Sequence, residues 1–382
     1  MGFDGKSISV IYLIASAPGA IEAIAEDIAL EQTVEVPKSV LRDPWITRDI
    51  VGRVTSIRKT DGQVGDCFVV TIDYPARVSN FEIPQFLNLL YGNISFKPGI
   101  KIIDIDFPKE FVIVFKGPKF GIEGIRALLN VYDRPLIATA LKPMGMSAEQ
   151  LGELCYQFAL GGIHIIKDDH SLVDFPFCRF EERVTMCLRA IQKAEQKTGK
   201  RTLYFPNVTD RFDRIMRNIE FALKGNVGGL LISPFLTGLD CVRHISESEW
   251  ICKPLMSHPS LSGGFFVNGK SGVSPDIILG KIFRLIGVDC SVYPNFGGRF
   301  SFDQNTCLAI ANSLRDSFFH LKRSFPTPAG GINLKNVSDV INIYGKDIIL
   351  LIGGSLYARS DNLQENARYF YEASSKVGHE FE

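Results

Sequence analysis

Alternating apolar and polar positions predict a small α+β domain in the first part of the chain. An Asp61-Gly62 turn separates the second and third strand-like runs, and residues 117–134 form a connection to the next region. The β-α-β-β-α-β order is typical of a ferredoxin-like domain, which we place at residues 1–125. The strand-like runs lie at 7–14, 51–57, 67–74 and twice within 100–116, and the helical patterns lie at 19–31 and 83–91.

From residue 135 onward, short apolar strands alternate with longer helical patterns. Eight strand–helix units in about 240 residues predict a (β/α)8 TIM barrel over residues 135–382. A doubly wound sheet is the alternative, but it usually has fewer strands. The predicted strands are 136–141, 162–168, 202–208, 228–233, 253–257, 287–292, 327–329 and 347–352, and the predicted helices are 147–159, 181–198, 212–224, 244–250, 274–285, 303–316, 334–343 and 361–376.

Composition narrows the function classes without naming one. The 382 residues contain 42 Lys and Arg against 42 Asp and Glu, so no net charge favours nucleic acid. No apolar stretch has the length of a membrane span, and we find no signal peptide. The eight cysteines form no Cys-x-x-Cys pair, which argues against a zinc site or a disulfide scaffold. This cysteine usage predicts a protein of the reducing cytoplasm.

The stretch Gly161–His170 is the strongest candidate for chemistry, because an apolar strand ends there in four ionisable residues. Side chains alternate between the two faces of a strand, so Lys167 and Asp169 share one face and Asp168 takes the other. The carboxyl ends of barrel strands carry active sites. An ion pair that fills the barrel and a metal site are the two alternatives for Lys167 and Asp169.

The metal alternative is a magnesium site with an unusual ligand. Carboxylate oxygens such as those of Asp169 suit Mg²⁺, whereas a charged lysine cannot ligate it. A neutral lysine can take up CO2 as a carbamate, and a cation such as Lys142 would help to lower the pKa of Lys167. His170 and His258 also lie at predicted strand ends, where each could ligate, carry a proton or be structural.

Glycine pairs after the last two predicted strands indicate an anion site. Gly330-Gly331 and Gly353-Gly354 let backbone N–H groups approach an anion closely, and barrels often hold a phosphate at these two loops. Arg299 follows another glycine pair after the sixth strand and brings a cation to the same end of the barrel. The sequence therefore predicts a phosphorylated small-molecule ligand.

Nearly the whole chain resembles the RuBisCO large-subunit superfamily. The Gly161–His170 stretch is similar to the family's Gly-Gly-x-Asp-x-x-Lys-Asp-Asp-Glu strand, whose lysine is carbamylated and whose last two acidic residues bind Mg²⁺. The resemblance implies that Lys167 carries a carbamate and that Asp169 is a metal ligand, with one Mg²⁺ per site. Thr139–Pro143 resembles the family's Thr-x-Lys-Pro-Lys motif, which implies an acid/base role for Lys142.

The other site positions follow from the same resemblance. Arg299 aligns with the mobile-loop lysine, and His258 aligns with the fifth-strand histidine. The glycine pairs at 330–331 and 353–354 fall on the phosphate-binding backbone. Glu31 and Asn93 resemble a Glu and an Asn that reach into the neighbouring subunit's site. The resemblance thus implies a homodimer whose sites are shared between subunits.

Departures from the family pattern imply a RuBisCO-like protein of the form IV type rather than a true carboxylase. The metal-binding Glu is His170 here, the second Lys of the Lys-Pro-Lys motif is Met144, and the mobile-loop Lys is Arg299. Pro259 replaces the Arg that grips the second phosphate, and proline offers no donor. The sixth-strand histidine is absent, and Tyr293 lies in that region. One phosphate site is kept and the other lost, which implies a monophosphorylated substrate.

The resemblance implies an enzyme that forms a Mg²⁺-stabilised enolate from a phosphorylated keto-sugar or keto-sugar acid. Its reaction would be that of an isomerase or enolase, as in methionine-salvage relatives, or that of a β-keto acid decarboxylase or hydrolase, as on 3-oxo-isoapionate 4-phosphate. His170 favours the isomerase and the decarboxylase or hydrolase branches. The alternative is a non-catalytic binding or stress-response protein.

Overall fold

The computed structural model describes residues 6–60, 66–300 and 302–378, so the Asp61-Gly62 turn lies outside the described residues. These described residues form thirteen strands: β1 Ser7–Ala15, β2 Arg53–Lys59, β3 Cys67–Pro75, β4 Ile100–Asp106, β5 Leu136–Leu141, β6 Ile165–Asp168, β7 Leu203–Phe205, β8 Leu230–Ile232, β9 Leu255–Ser257, β10 Gly272–Val273, β11 Cys290–Pro294, β12 Phe325–Ala329 and β13 Ile349–Leu351.

Fifteen α-helical segments accompany these strands in the described part of the chain. They are α1 Ile21–Glu31, α2 Pro44–Asp49, α3 Ile83–Tyr91, α4 Lys109–Val112, α5 Gly121–Leu129, α6 Ala148–Leu160, α7 Phe180–Thr198, α8 Phe212–Lys224, α9 Pro234–Thr237, α10 Leu239–Glu247, α11 Phe283–Leu285, α12 Gln304–Arg315, α13 Val337–Tyr344, α14 Gly354–Tyr357 and α15 Leu363–Gly378. Among the described residues, none of these helices is long and apolar enough to cross a bilayer.

The chain forms two compact units. One contains the residues up to Phe115 together with Ser262–Ile278. The other contains Lys116–Leu261 and the residues from Leu279 onward. The chain thus leaves the second unit at Ser262 and returns to it after Ile278, and we call this segment the 262–278 excursion. The local sequence pattern did not predict it. A helix was predicted at 274–285; instead a π-helical turn at Ile277–Ile282 leads into α11.

The N-terminal unit is the predicted ferredoxin-like domain with one added strand. Its sheet has the order β10-β4-β1-β3-β2, and β1 pairs antiparallel with both β3 and β4. Alternate β1 residues Ile8, Val10, Tyr12 and Ile14 are buried, as period-two patterning requires. The short strand β10 comes from the 262–278 excursion and pairs parallel with β4.

The second strand-like run predicted within 100–116 is wrong, because this segment forms helix α4 and turns. Phe107, Phe111 and Phe115 recur every four residues, which is a helical rather than a strand spacing. Their rings form a cluster with Phe86, at centroid distances of 4.8 Å for Phe86–Phe111 and 5.1 Å for Phe111–Phe115. Packing of these aromatic rings therefore decides the local structure.

The predicted domain boundary at residue 125 also needs correction. Helix α5 belongs to the second unit, which begins at Lys116. Ile122, Ile125 and Leu129 of α5 share one buried cluster with strand residues such as Leu136 and Ile165. The helix therefore covers apolar side chains of the barrel interior, and its sequence belongs to that core.

The second unit is the predicted (β/α)8 barrel. Its eight strands are hydrogen-bonded in the order β7-β6-β5-β13-β12-β11-β9-β8. An isolated parallel bridge between Asn207 and Leu231 joins the two outer strands, β7 and β8. All eight predicted barrel strands are present, with ends that differ by a few residues. The barrel interior is packed with apolar side chains such as Phe205, Met256 and Val292.

Asp289 fixes the start of α5 to the base of the barrel strands. Its fully buried carboxylate accepts hydrogen bonds from the backbone N–H groups of Phe120 and Gly121 at 2.7 Å each and of Leu255 at 2.8 Å. One side chain thereby joins α5 to β9 and to the residue before β11. Buried donors that lose their acceptor are costly.

We predict that Asp289→Ala lowers the free energy of unfolding by about 3–5 kcal/mol, because three buried N–H donors lose their acceptor. Chemical denaturation followed by circular dichroism measures this change. Asp303→Ala is the matched control, because Asp303 is an exposed cap that accepts from Thr306 N. That control should lose only about 1 kcal/mol. Equal losses for the two variants would contradict the assigned role of Asp289.

Candidate active site

The ends of β5 and β6 bring Lys142 and Asp169 together. The parallel register aligns Ala140 with Lys167 and Leu141 with Asp168, so the next residue of each strand also meets its neighbour. Lys142 Nζ lies 2.5 Å from Asp169 Oδ2. The Lys142 side chain is 43% exposed, whereas that of Asp169 is 9% exposed, so the ammonium covers the carboxylate from the solvent side.

Lys167 is buried inside the barrel with little to stabilise its charge. It is 2% exposed, and its Nζ donates to the backbone oxygen of Asp168 at 2.9 Å. Burial lowers its pKa to about 8, with a further lowering from Lys142 and an opposing effect from Asp169. The amine is therefore partly neutral near physiological pH, which is the state required for carbamate formation.

Asp169 stays ionised in this environment. Burial favours the neutral acid, but the hydrogen bond from Lys142 and the charge of Lys167 outweigh it and lower the pKa of Asp169 to about 2. The Ser171 N–H also donates to Asp169 Oδ1, at 3.1 Å. An ionised carboxylate can ligate a divalent cation or orient a protonated base, and in this structure the Lys142 ammonium occupies its Oδ2.

Two imidazole rings complete the cluster. His170 and His258 stack with ring centroids 3.9 Å apart and an interplanar angle of 5°. His170 Nδ1 lies 3.3 Å from Asp169 Oδ1, and His258 Nδ1 lies 2.8 Å from Ser260 Oγ. Burial lowers the pKa of both histidines, and the charge of Lys167 lowers it further, whereas the charge of Asp169 opposes the lowering at His170. Both rings are therefore neutral near pH 7 and able to accept a proton.

Asp168 lies on the opposite face of β6, as the alternation predicted. Its carboxylate accepts from Arg183 Nε at 3.0 Å, from Tyr204 OH at 2.7 Å and from the Asn207 N–H at 2.9 Å. Asp168 and Arg183 are both fully buried. This side of β6 is therefore a closed polar network beneath the helices, separate from the site face.

The glycine pairs bring neighbouring loops into close contact. A Cβ on Gly331, which has φ +73°, would lie 2.7 Å from Gly298 N, so the loops after β11 and β12 can approach only with glycine there. Ser355 Oγ donates to Ile332 O at 2.5 Å and joins the loops after β12 and β13. A Cβ on Gly330, Gly353 or Gly354 would meet nothing within 4 Å.

The structure brings five of the predicted site residues into one cluster, namely Lys142, Lys167, Asp169, His170 and His258. The charge of Arg299 lowers the pKa of His170, and its guanidinium carbon lies 5.2 Å from the Phe300 ring centroid.

Glu31 and Asn93 lie in the N-terminal unit, where Asn93 Nδ2 donates to Glu31 Oε1 at 3.0 Å. Their participation in a neighbouring subunit's site stays a prediction.

Two residues that support the site, Arg183 and Tyr357, were not predicted from the sequence. Arg183 lies on the apolar stripe of α7 with Phe180, Val184 and Cys187, and a charge in such a stripe indicates a buried partner. Tyr357 OH accepts from Lys142 N at 3.0 Å and donates to Ala140 O at 2.8 Å.

The metal prediction has limited support from the side chains as they stand. Among the described residues, no group of three or more His, Cys, Asp and Glu has the arrangement of a metal site. Asp169 and His170 offer two donors, and a third has to come from a carbamate on Lys167. The partly neutral amine of Lys167 fits that requirement. The donor set therefore suits a divalent cation only after CO2 has been taken up.

Comparisons with known proteins agree with the fold and the motifs. Residues 121–368 match the family described as ribulose bisphosphate carboxylase large chain, catalytic domain. The chain is 37% identical over 367 residues to ribulose bisphosphate carboxylase-like protein 1 of Rhodopseudomonas palustris, covering 96% of each. It is 35% identical over 360 residues to the 5-methylthioribulose-1-phosphate isomerase of Rhodospirillum rubrum, covering 94% of each.

A solved structure is similar along almost the whole chain. The crystal structure of a Rubisco-like protein from Rhodopseudomonas palustris superposes with a TM-score of 0.87 at 35% sequence identity. The match covers 98% of this chain and 99% of that one.

We predict that Lys167 takes up CO2 with a pH dependence set by its lowered pKa. The amine is mostly protonated below about pH 8 and neutral above it, and only the neutral amine reacts. Because uptake of CO2 by the neutral amine also releases a proton, the carbamate signal in ¹³C NMR at a fixed dissolved CO2 concentration should rise steeply up to about pH 8 and less steeply above it.

Three variants sharpen this measurement. Lys142→Met removes a cation that lowers the pKa of Lys167, so the rise should move to higher pH. Lys119→Met is the control, because Lys119 Nζ donates to Ser248 O and Ile251 O and contacts no residue of the cluster in these hydrogen bonds. A signal that persists in Lys167→Ala would contradict the assignment.

Proposed function

Because this chain belongs to the family of ribulose bisphosphate carboxylase large chains, we propose that it is an enzyme that enolises a phosphorylated keto-sugar or keto-sugar acid. The observation that carries this proposal is the cluster of two lysines, one carboxylate and two neutral imidazoles at the ends of β5, β6 and β9. Enolisation requires removal of a proton beside a carbonyl and stabilisation of the resulting negative charge. The cluster contains groups for both tasks.

The proposal includes one Mg²⁺ per site. Asp169 and a carbamate on Lys167 would supply oxygen ligands, which Mg²⁺ prefers, and His170 would supply the remaining side-chain donor. Imidazole suits transition metals better than Mg²⁺, so His170 is the weakest part of this donor set. When bound, the ion would supply stabilisation of negative charge on the substrate oxygens.

The side chains of the cluster would divide the proton transfers among them. The His258 ring is neutral, and its Nδ1 is occupied by Ser260, which leaves Nε2 for exchange with a ligand. Lys142 is half exposed at the barrel mouth and, as an ammonium, can protonate a substrate carbon or oxygen. Lys167, with a pKa of about 8, could act as the base when it is not carbamylated.

We place a single phosphate group at the glycine pairs. A Cβ on Gly330, Gly353 or Gly354 would meet nothing within 4 Å, so no packed side chain or backbone closes off this side of the backbone to an anion. Pro259, directly after His258, has neither a side-chain nor a backbone donor for a second phosphate. A monophosphate is therefore the substrate class that this barrel mouth fits, with Arg299 supplying charge from its loop.

Among the possible fates of the enolate, we favour isomerisation. An isomerase must accept a proton from one carbon and return it to the next, and this site brings together two neutral imidazoles, the ammonium of Lys142 and Lys167 with a pKa of about 8. A relative of 35% identity is named 5-methylthioribulose-1-phosphate isomerase. The enolase reaction and cleavage of a β-keto acid, by decarboxylation or hydrolysis, are the other reactions that the same enolate allows.

We further propose a cytoplasmic homodimer whose subunits complete each other's sites. Glu31 and Asn93 present a hydrogen-bonded polar pair on the surface of the N-terminal unit, and Phe96 beside them is 90% exposed. An exposed phenylalanine next to a polar pair is typical of an interface centre with a polar surround. None of the eight cysteines is in a disulfide, which suits a reducing compartment.

We predict that Lys142→Met slows substrate deuterium exchange by about 10²-fold or more, because a proton carrier and the partner of Asp169 are lost together. ¹H NMR of 5-methylthioribulose 1-phosphate and branched keto-acid monophosphates in D2O measures this exchange. Lys119→Met should exchange at the wild-type rate. If the wild-type protein exchanged none of these substrates and its melting ignored Mg²⁺ and bicarbonate, the binding-protein alternative would hold.

We also predict that ribulose bisphosphate is not carboxylated, because Pro259 cannot hold the second phosphate and Arg299 is not equivalent to a lysine at a close contact. Incubation with radiolabelled bicarbonate and Mg²⁺ should give no acid-stable label above a boiled-protein blank. Labelled 3-phosphoglycerate would overturn this reading of both residues.

A further inference from the structure

The loop between β6 and α7 is fastened by two buried side chains outside the catalytic cluster. Asn207 Nδ2 donates to His170 O at 3.0 Å and to Leu172 O at 3.2 Å. Arg183 donates to Leu172 O at 3.3 Å, to Val173 O at 3.2 Å and to Cys178 O at 3.3 Å. Because these carbonyl groups span the loop, the two side chains hold its path between His170 and Cys178.

Both of these residues belong to the network around Asp168. Asp168 Oδ2 accepts from Arg183 Nε and from the backbone N–H of Asn207, and Oδ1 accepts from Tyr204 OH. A buried carboxylate holds its donors firmly, because an unpaired charge in this environment is costly. The carboxylate of Asp168 thus positions the guanidinium of Arg183 and the backbone of Asn207. The side chains of these two residues in turn hold the loop.

Asn207 touches the loop at the residue that matters for chemistry. The carbonyl that accepts its first hydrogen bond is that of His170, whose ring stacks on His258 and approaches Asp169. Asn207 is itself 1% exposed, and its Oδ1 accepts from Thr209 N at 3.2 Å, so its amide cannot turn without losing three hydrogen bonds. These hydrogen bonds hold the carbonyl group of His170 against Asn207.

We infer that Asn207 is a positioning residue that sets the ring of His170 against His258, with Arg183 and Asp168 supporting it from the other face of β6. This inference rests on the proposed function for its effect on turnover, but its effect on ring position is independent of any substrate. Misplacing a reacting group by about 1 Å can cost about 10²-fold in rate. Residues behind the reacting groups typically contribute about 10- to 100-fold.

The test compares Asn207→Ala with Asn218→Ala. Asn218 is also a buried asparagine of the barrel unit, but its Nδ2 donates to Asp210 Oδ2 and not to the loop after β6. Histidine ring signals in ¹H–¹³C NMR report the stacking directly, because each ring shifts the resonances of the other. The chain contains six histidines, and His170→Gln assigns the relevant signal.

In Asn207→Ala, the His170 signal should move toward its position in His258→Ala, where the stacking partner is missing. The kcat should fall about 10- to 100-fold with a smaller change in KM. Asn218→Ala should change neither. An unchanged His170 signal in folded Asn207→Ala would overturn the inference, even if the melting temperature fell.

A second variant tests the inference in case Asn207→Ala does not fold. Tyr204→Phe removes one hydrogen bond to Asp168 Oδ1 while the hydrogen bonds from Arg183 and Asn207 remain. The His170 signal should then shift in the same direction by a smaller amount, and an unmoved signal would count against the network. If the wild-type protein turned over no substrate, the proposed function would fail while the NMR comparison still decided the role of Asn207.

Discussion

The site depends on charge buried on both faces of one short strand. Lys167, Asp168 and Asp169 are consecutive, and all three residues are buried. Asp168 is compensated by three donors, and Asp169 is compensated by Lys142. Lys167 donates to a backbone oxygen, and burial lowers its pKa although the charge of Asp169 opposes the shift. These different surroundings hold Asp168 in place, keep Asp169 ionised and leave the amine of Lys167 partly neutral.

The stacked imidazoles of His170 and His258 add a second group of buried ionisable side chains, from the ends of β6 and β9. Stacked rings at 3.9 Å cannot both be charged without repulsion, and the lysines beside them also oppose protonation. A site built this way has basic groups that are free of protons and acidic groups that are close by. That combination is suited to moving a proton between two carbons of a bound sugar phosphate.

Much of the barrel was predictable from the sequence, because each strand is marked by the apolar pattern of its own few residues. The eight apolar strands and the period-two placement of Lys167, Asp168 and Asp169 were confirmed, and so was the resemblance to the RuBisCO family. Features that depend on distant partners were not predictable. Helix α4 forms because Phe111 and its neighbours pack on Phe86, and the role of Asn207 depends on a carbonyl 37 positions away.

The excursion at Ser262–Ile278 has a consequence for how the chain is made. Strand β10 gives β4 its second neighbour, yet it is encoded more than 160 residues after β4. A nascent N-terminal sheet therefore leaves the ribosome with β4 as an open edge, and an open edge is a template for pairing with other chains. Any fragment that stops before residue 272 keeps that open edge. Because each unit consists of two separate stretches of the chain, neither can be expressed as one continuous piece.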